Sequence, residues 1–415
     1  MSSQKDQPDF LRNLFDWTVV RRDRSFQVYV VEPNAYDPQT HARIFDAALS
    51  VFIQRQTPLV DPYTISSAGL PGVKDFDLIT FPEAFLPVDS LLQVLDSVRH
   101  LDNLGCVHVG LRPSDTNPNH LFLTSEIRTF LAKVKKVDGT KPEDFQAFSG
   151  WLSGQAEHLR FNIGCLFTID AEHKLRVCFH PKLVQSKDEV SPLPEDNMEE
   201  ANLLTIVTLQ PTEKKYKTVS IQPLLCSDAL HLPTKRNGSR PLEALQGEAD
   251  CLGHNPPDHI DIVSVATCSP QEQNQTPRGA YHRRWHHKFR NTFERAAGDD
   301  ALGRHHFATF VLSNFQTMPT GKPGGLSGAF IPVPAVKKIS RVCHFNILGT
   351  SRRRVRIRLV HGHRRLFRGS SVDDGGLHCL AESLRPKNRG RSPHLRFCRR
   401  PASPRPISLE CQSRA

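Results

Sequence analysis

Short apolar runs alternate with helical stretches along the first 335 residues, and that alternation limits the possible folds more than any other property of the chain. Residues 26–31 (Phe-Gln-Val-Tyr-Val-Val) are β-rich and precede a helical stretch over 38–55. A strand at 77–81 follows, then apolar residues at helical spacing over 88–102. A third strand spans 106–111, with helical patterns over 121–137 and 144–159. Residues 162–170 and 175–179 form a hairpin pattern closed by Ala171-Glu172-His173. Strands at 218–225, 259–266 and 306–312 complete the series, with a basic helix over 281–297 before the last. Strands alternating with helices predict a layered α/β domain. Residues 184–202 (charged, Pro-containing) and 232–257 (rich in Gly, Pro and Asn) read as loops.

A chain of 415 residues that is 38 % hydrophobic can bury a large core. Its polar start (residues 1–9) carries no hydrophobic signal segment, and no apolar run approaches a membrane span, so the expectation is a cytoplasmic protein. Ten scattered cysteines without a Cys-x-x-Cys pair argue against a zinc ribbon or a compact disulfide framework. The net charge of +11 is confined to one region. Residues 351–415 hold 16 Arg and 1 Lys against 2 Asp and 2 Glu, which leaves residues 1–350 at −2. That tail sustains neither helical nor strand periodicity for long, and only Phe367 and Phe397 offer aromatic faces for base stacking. A disordered appendage, or a reading frame lost near residues 335–339, fits it better than an arm for nucleic acid.

Three segments carry reactive side chains at the ends of apolar runs: Phe81-Pro82-Glu83, Pro181-Lys182-Leu183, and Leu224-Leu225-Cys226-Ser227-Asp228. Open α/β sheets present functional groups at such strand ends. A thiol on a tight strand-to-helix turn is exposed to amides that stabilise a thiolate. A carboxylate beside it accepts the proton and later activates water, and an ammonium neutralises a tetrahedral oxyanion. Each residue alone has a plain structural reading: a loop acid, a solvated lysine, a buried cysteine. Lys182 is preferred to the cluster Lys133, Lys135 and Lys136 because Glu189 follows it seven positions later in a strand context.

In these motifs the chain resembles the nitrilase superfamily of carbon–nitrogen hydrolases, over roughly residues 25–335. That family carries a Phe-Pro-Glu strand end, a Lys before an apolar residue with a later Glu, and a Cys before x-Asp. The segments Val311-Leu312-Ser313-Asn314 and Gly324-Gly325-Leu326-Ser327-Gly328 also look similar. The resemblance implies a four-layer α-β-β-α sandwich, dimerised through outer helices, with residues 1–24 as an N-terminal extension and 336–415 as a basic low-order tail. It implies Cys226 as nucleophile, Glu83 as general base, and Lys182 with the Ser227 amide as oxyanion stabilisers. Glu189 would orient Lys182 or the substrate. Neither metal nor organic cofactor is expected. The chain departs from the pattern in the 99-residue interval from Glu83 to Lys182, in Ser227 where an aromatic residue is often found, and in the Arg-rich continuation after Gly328.

Other constellations are weaker. His282, His286 and His287 lack the acid of a His-Glu-x-x-His metal spacing, and no Gly-x-Ser-x-Gly or Gly-x-Gly-x-x-Gly segment occurs. The expected function is hydrolysis of a small-molecule amide or nitrile through a cysteine thioester, by a homodimer with no membrane or nucleic-acid partner. The alternative is a catalytically inactive nitrilase-like interaction module with an Arg-rich nucleic-acid-binding arm.

Overall fold

A computed structural model describes residues 11–21, 26–33, 76–114, 120–186, 189–232, 259–269, 273–275, 281–298, 305, 308–315, 327–333, 338–341, 345–347 and 350–357. The strands in chain order are β1 (Leu11–Val19), β2 (Phe26–Pro33), β3 (Leu78–Thr80), β4 (Leu86–Pro87), β5 (Leu104–Arg112), β6 (Phe122–Leu123), β7 (Arg160–Phe161), β8 (Ile163–Ile169), β9 (Leu175–Pro181) and β10 (Leu203–Pro211). They continue with β11 (Val219–Leu225), β12 (Ile262–Ala266), β13 (Gln273–Gln275), β14 (Tyr281–Arg283), β15 (Thr309–Ser313), β16 (Gly328–Val333), β17 (Lys338–Arg341), β18 (Phe345–Ile347) and β19 (Thr350–Ile357). Helices α1 (Val88–Val98), α2 (Thr124–Val134), α3 (Gln146–Ser153) and α4 (Arg284–Gly298) lie between them.

The chain is a mixed α/β protein built on two large sheets. One has the order β18-β19-β2-β3-β5-β8-β9, the other β1-β10-β11-β12-β15-β16-β17. Each has a parallel centre, β2-β3-β5 and β11-β12-β15, flanked by antiparallel strands. Because β8 is antiparallel to both β5 and β9, β9 runs in the same direction as β5. The carboxyl ends of β3, β9, β11, β12 and β15 therefore become available to one site.

Strand alternation sorts the side chains onto two faces. Val28, Val30, Leu78, Cys106 and Leu166 of the first sheet share a buried cluster with Val207, Val219, Ile221, Ile262 and Val311 of the second. The opposite face of the first sheet packs on helices. Leu91, Leu95 and Val98 of α1 recur at helical spacing and are buried, as are Ile127, Phe130, Leu131 and Val134 of α2. Phe130 meets Phe179 of β9 edge-on at 5.4 Å between ring centroids. On the second sheet, Phe293 of α4 stacks on Phe310 of β15 at 4.4 Å.

Several expected elements shift. The helix expected over 121–137 starts at Thr124, because Phe122–Leu123 first pair with Arg160–Phe161. The one expected over 144–159 ends at Ser153, where Gly154 takes the cap. The one expected over 88–102 ends at Val98 in a tight turn, with Leu101 N–H on the Val98 carbonyl. Strand β10, inside a stretch left unassigned, pairs with both β1 and β11. The helix expected over 38–55 and most of the loop expected over 232–257 lie outside the described residues, as do the side chains of His282, His286 and His287.

Two expected boundaries are corrected. Residues 1–24 are not simply an extension, since Leu11–Val19 pairs with β10 along its whole length. Its burial alternates, with Phe15, Trp17 and Val19 inward and Asp16 and Thr18 outward, and Trp17 is fully buried. The tail expected from residue 336 likewise begins inside the sheets: β17 pairs with β16, and Thr350–Ile357 runs antiparallel to β2. Val355 and Ile357 alternate with Arg354 and Arg356, a two-residue period that a strand accepts despite the charge. Residues 358–415 lie outside the described set. The five described cysteines, Cys106, Cys165, Cys178, Cys226 and Cys268, are free thiols.

If β1 belongs to the core, Trp17→Ala lowers stability by about 3–5 kcal/mol in urea unfolding. An unchanged midpoint would return residues 11–19 to the status of an appendage.

Candidate active site

Glu83 stands on a turn that only a glycine neighbour allows. Ala84 has a φ of 53°, and the turn rests on Gly110 of β5, whose N–H donates to the Pro82 carbonyl at 3.1 Å. A Cβ on Gly110 would lie 2.4 Å from Glu83 Cα, so the close approach excludes any side chain there. The Glu83 carboxylate is 3 % exposed and accepts three hydrogen bonds. Lys182 Nζ (3.0 Å) and Asn162 Nδ2 (2.7 Å) reach Oε1, and the Cys268 backbone N–H (3.0 Å) reaches Oε2.

Lys182 follows β9, its N–H held by the Asn162 carbonyl at 2.8 Å. Its ammonium bridges two carboxylates, Glu83 Oε1 at 3.0 Å and Glu189 Oε1 at 2.6 Å. Glu189 also receives Asn162 Nδ2 at 3.1 Å and the Ser186 N–H at 2.8 Å, and His120 Nε2 lies 3.0 Å from Oε1. Burial alone would lower the Lys182 pKa, but the charges of Glu83 and Glu189 outweigh it and hold the amine protonated. For Glu189, burial pushes upward, while Lys182 and His120 hold its carboxyl well below the usual range.

Cys226, just past β11, lies in the left-handed region at φ 40°, a strained conformation for a residue with a Cβ. Asp228 tightens the 3₁₀ turn Cys226–Leu230 by accepting the Leu225 N–H at 3.1 Å on one oxygen. Its other oxygen takes the N–H groups of Leu183 (3.0 Å) and Val184 (2.8 Å), and Ser227 Oγ donates to the Val184 carbonyl at 2.5 Å. The cysteine turn is thereby tied to the segment just after Lys182. Burial pushes the Cys226 thiol up to about 12, with Glu83 adding to the rise and Lys182, Ser269 and Thr267 opposing it. At neutral pH the resting group is a thiol, and forming the thiolate requires a proton acceptor.

The structure thus gathers Glu83, Lys182 and Glu189 into one hydrogen-bonded cluster, linked to Cys226 through Thr267 and Ser269, which flank the Cys268 N–H on Glu83. Ser227 sits at the start of the turn, and its hydroxyl has a structural bond. Sequence reasoning missed Asn162, His120, Thr267 and Ser269. The last two follow the apolar run of β12 just as Glu83 and Cys226 follow theirs, so the same strand-end rule points to them. Asn162 is the polar residue opening the run of β8, whereas His120 carries no local signal.

One oxygen each of Glu83 and Glu189 and one nitrogen of His120 lie within 4.8 Å of one another, close enough to hold a cation. The Lys182 ammonium already bonds both carboxylates, so a metal ion would compete with it for them. Among the described residues no helix is long and apolar enough to cross a membrane. Compared with known proteins, the chain matches no family model and no curated sequence.

The Glu189 shift fixes the sign of an acid effect. An unfolded Glu titrates near pH 4.3, and the folded group lies lower, so the unfolded state binds more protons in acid. Its contribution is full above about pH 5 and is lost as pH falls below that. The urea midpoint of the wild type should fall over that range more steeply than that of Glu189→Gln, and parallel curves would contradict the assignment.

Proposed function

We propose that the protein is a carbon–nitrogen hydrolase that cleaves a small-molecule amide or nitrile through a thioester on Cys226, on a four-layer α-β-β-α sandwich of the nitrilase type. The observation that carries this reading is the buried Glu83–Lys182–Glu189 bridge beside a cysteine held at a positive φ. Neither feature is needed for stability: a buried ion pair contributes little net, and a left-handed cysteine costs about 1–3 kcal/mol. Both fit covalent catalysis, which sets a nucleophile beside a proton acceptor and a stabilising charge.

For an amide, Glu83 takes the thiol proton as sulfur attacks the carbonyl carbon. The carbonyl electron pair moves onto oxygen, where Lys182 and the Ser227 N–H stabilise the negative charge. Collapse of the intermediate breaks the carbon–nitrogen bond, and the proton held by Glu83 passes to the departing nitrogen. Glu83 then deprotonates water, which attacks the thioester and releases a carboxylic acid and the free thiol. Lys182, protonated throughout, acts through its charge. Glu189 and Asn162 position the amine and the base.

Ammonia release from a panel of amides, ureas and nitriles tests the reading. Wild type should release ammonia, Cys226→Ala should release none, and Glu83→Gln should be slower by about 10²–10⁴-fold. Equal release by folded wild type and Cys226→Ala would sink it.

A further inference from the structure

Outside the cluster already assigned, the strand end Thr267-Cys268-Ser269 touches both reactive groups. The Cys268 N–H holds Glu83 at 3.0 Å, while the two flanking hydroxyls turn to the nucleophile. Thr267 Oγ1 donates to Cys226 Sγ at 3.3 Å, Ser269 Oγ lies 3.0 Å from the same sulfur, and the two hydroxyls are 2.7 Å apart. Thiol and hydroxyls close a triangle in which each group has one hydrogen to give. Given the Thr267 donor, one arrangement satisfies all three: Thr267 donates to sulfur, sulfur to Ser269, and Ser269 to Thr267.

Ser269 is itself held by a buried chain of hydrogen bonds. Asn314, fully buried at the end of β15, accepts the Ser269 N–H at 3.2 Å and donates to the Ser269 carbonyl at 2.9 Å. The Asn314 N–H is bound by Ser327 Oγ at 2.9 Å, and Glu32 of β2 holds the Ser327 N–H at 3.0 Å. Four strand ends thus serve to fix the Ser269 backbone.

We propose that Thr267 and Ser269 are catalytic residues that form a two-donor cradle for the Cys226 thiolate. Resting on the hydrolase reading above, this assigns a role in its first step. When the S–H bond breaks, the proton goes to Glu83 and the electron pair stays on sulfur. Ser269 then loses the hydrogen it had accepted, and its own O–H rotates from Thr267 to the sulfur. Thr267 keeps donating, so the thiolate receives two hydroxyl bonds where the thiol received one. The cradle favours the charged form and lowers the barrier to attack.

The test is the rate at which iodoacetamide, itself an amide, alkylates Cys226 at pH 8, followed by peptide mass spectrometry. A hydrogen bond to a charged group is strong enough to move a pKa by about one unit, which cuts the thiolate fraction roughly tenfold. The more basic thiolate recovers about half of that effect on a logarithmic scale. Ser269→Ala and Thr267→Val should each slow alkylation about threefold, the double variant about tenfold, and Ser269→Thr and Thr267→Ser should restore it. Where ammonia release is measurable, kcat should fall with KM little changed. A purely structural role would lower the unfolding midpoint without this pattern of loss and rescue. Alkylation of folded Ser269→Ala and Thr267→Val at the wild-type rate, or faster, overturns the cradle. Absence of ammonia release with the alkylation pattern intact would instead remove the hydrolase reading and leave the cradle standing.

Discussion

Everything around the candidate site is arranged to keep one ammonium out of water between two carboxylates. Desolvating Lys182, Glu83 and Glu189 carries a penalty of several kcal/mol per ion, and only mutual attraction together with a full set of hydrogen bonds offsets it. That requirement explains the surroundings. Asn162 gives its amide to both acids, backbone N–H groups of Ser186 and Cys268 cap the remaining oxygens, and Gly110 clears space for the Glu83 turn. A cluster so dependent on geometry holds its members in fixed positions, as a preorganised electrostatic site requires.

The two sheets divide the work. Glu83 and Lys182 come from strand ends of one sheet, while Cys226, Thr267 and Ser269 come from the other. Glu83 and Cys226 therefore meet only when the sheets are packed, with Asp228 and Ser227 fastening the cysteine turn to the 182–184 segment. Reactivity at Cys226 reports on inter-sheet packing as much as on local chemistry.

Strands β2, β5, β8, β9, β11 and β12 were legible because each is a short apolar run bounded by polar or turn residues, and Glu83, Lys182 and Cys226 were legible because each closes one. What was hidden depends on partners distant in sequence. Strand β1 reads as part of an N-terminal extension until β10 is placed beside it, and the Arg-rich strand β19 reads as a tail until β2 provides its ladder. His120 has meaning only through Glu189, 69 residues away, and Asn162 only through Glu83, 79 residues away. Helix limits were misjudged where pairing or a cap intervened, since propensity says nothing of the two-residue ladder ahead of Thr124.

Between the sheets, the apolar layer also holds a buried polar network of His108, His180, Thr80 and Ser264. His108 Nδ1 meets Ser264 Oγ at 2.7 Å, Thr80 Oγ1 meets the same hydroxyl at 2.8 Å, and the Nε2 atoms of His108 and His180 are 3.1 Å apart. Burial pushes the His180 imidazole down to about 3, so this is a neutral network with directional demands. Apolar surfaces slide over one another at little cost, whereas these groups are satisfied in a single registration of sheet on sheet. The four positions, with Gly164 against the His180 ring, are therefore physically coupled, since changing one leaves a buried polar group unsatisfied or brings a Cβ into the imidazole.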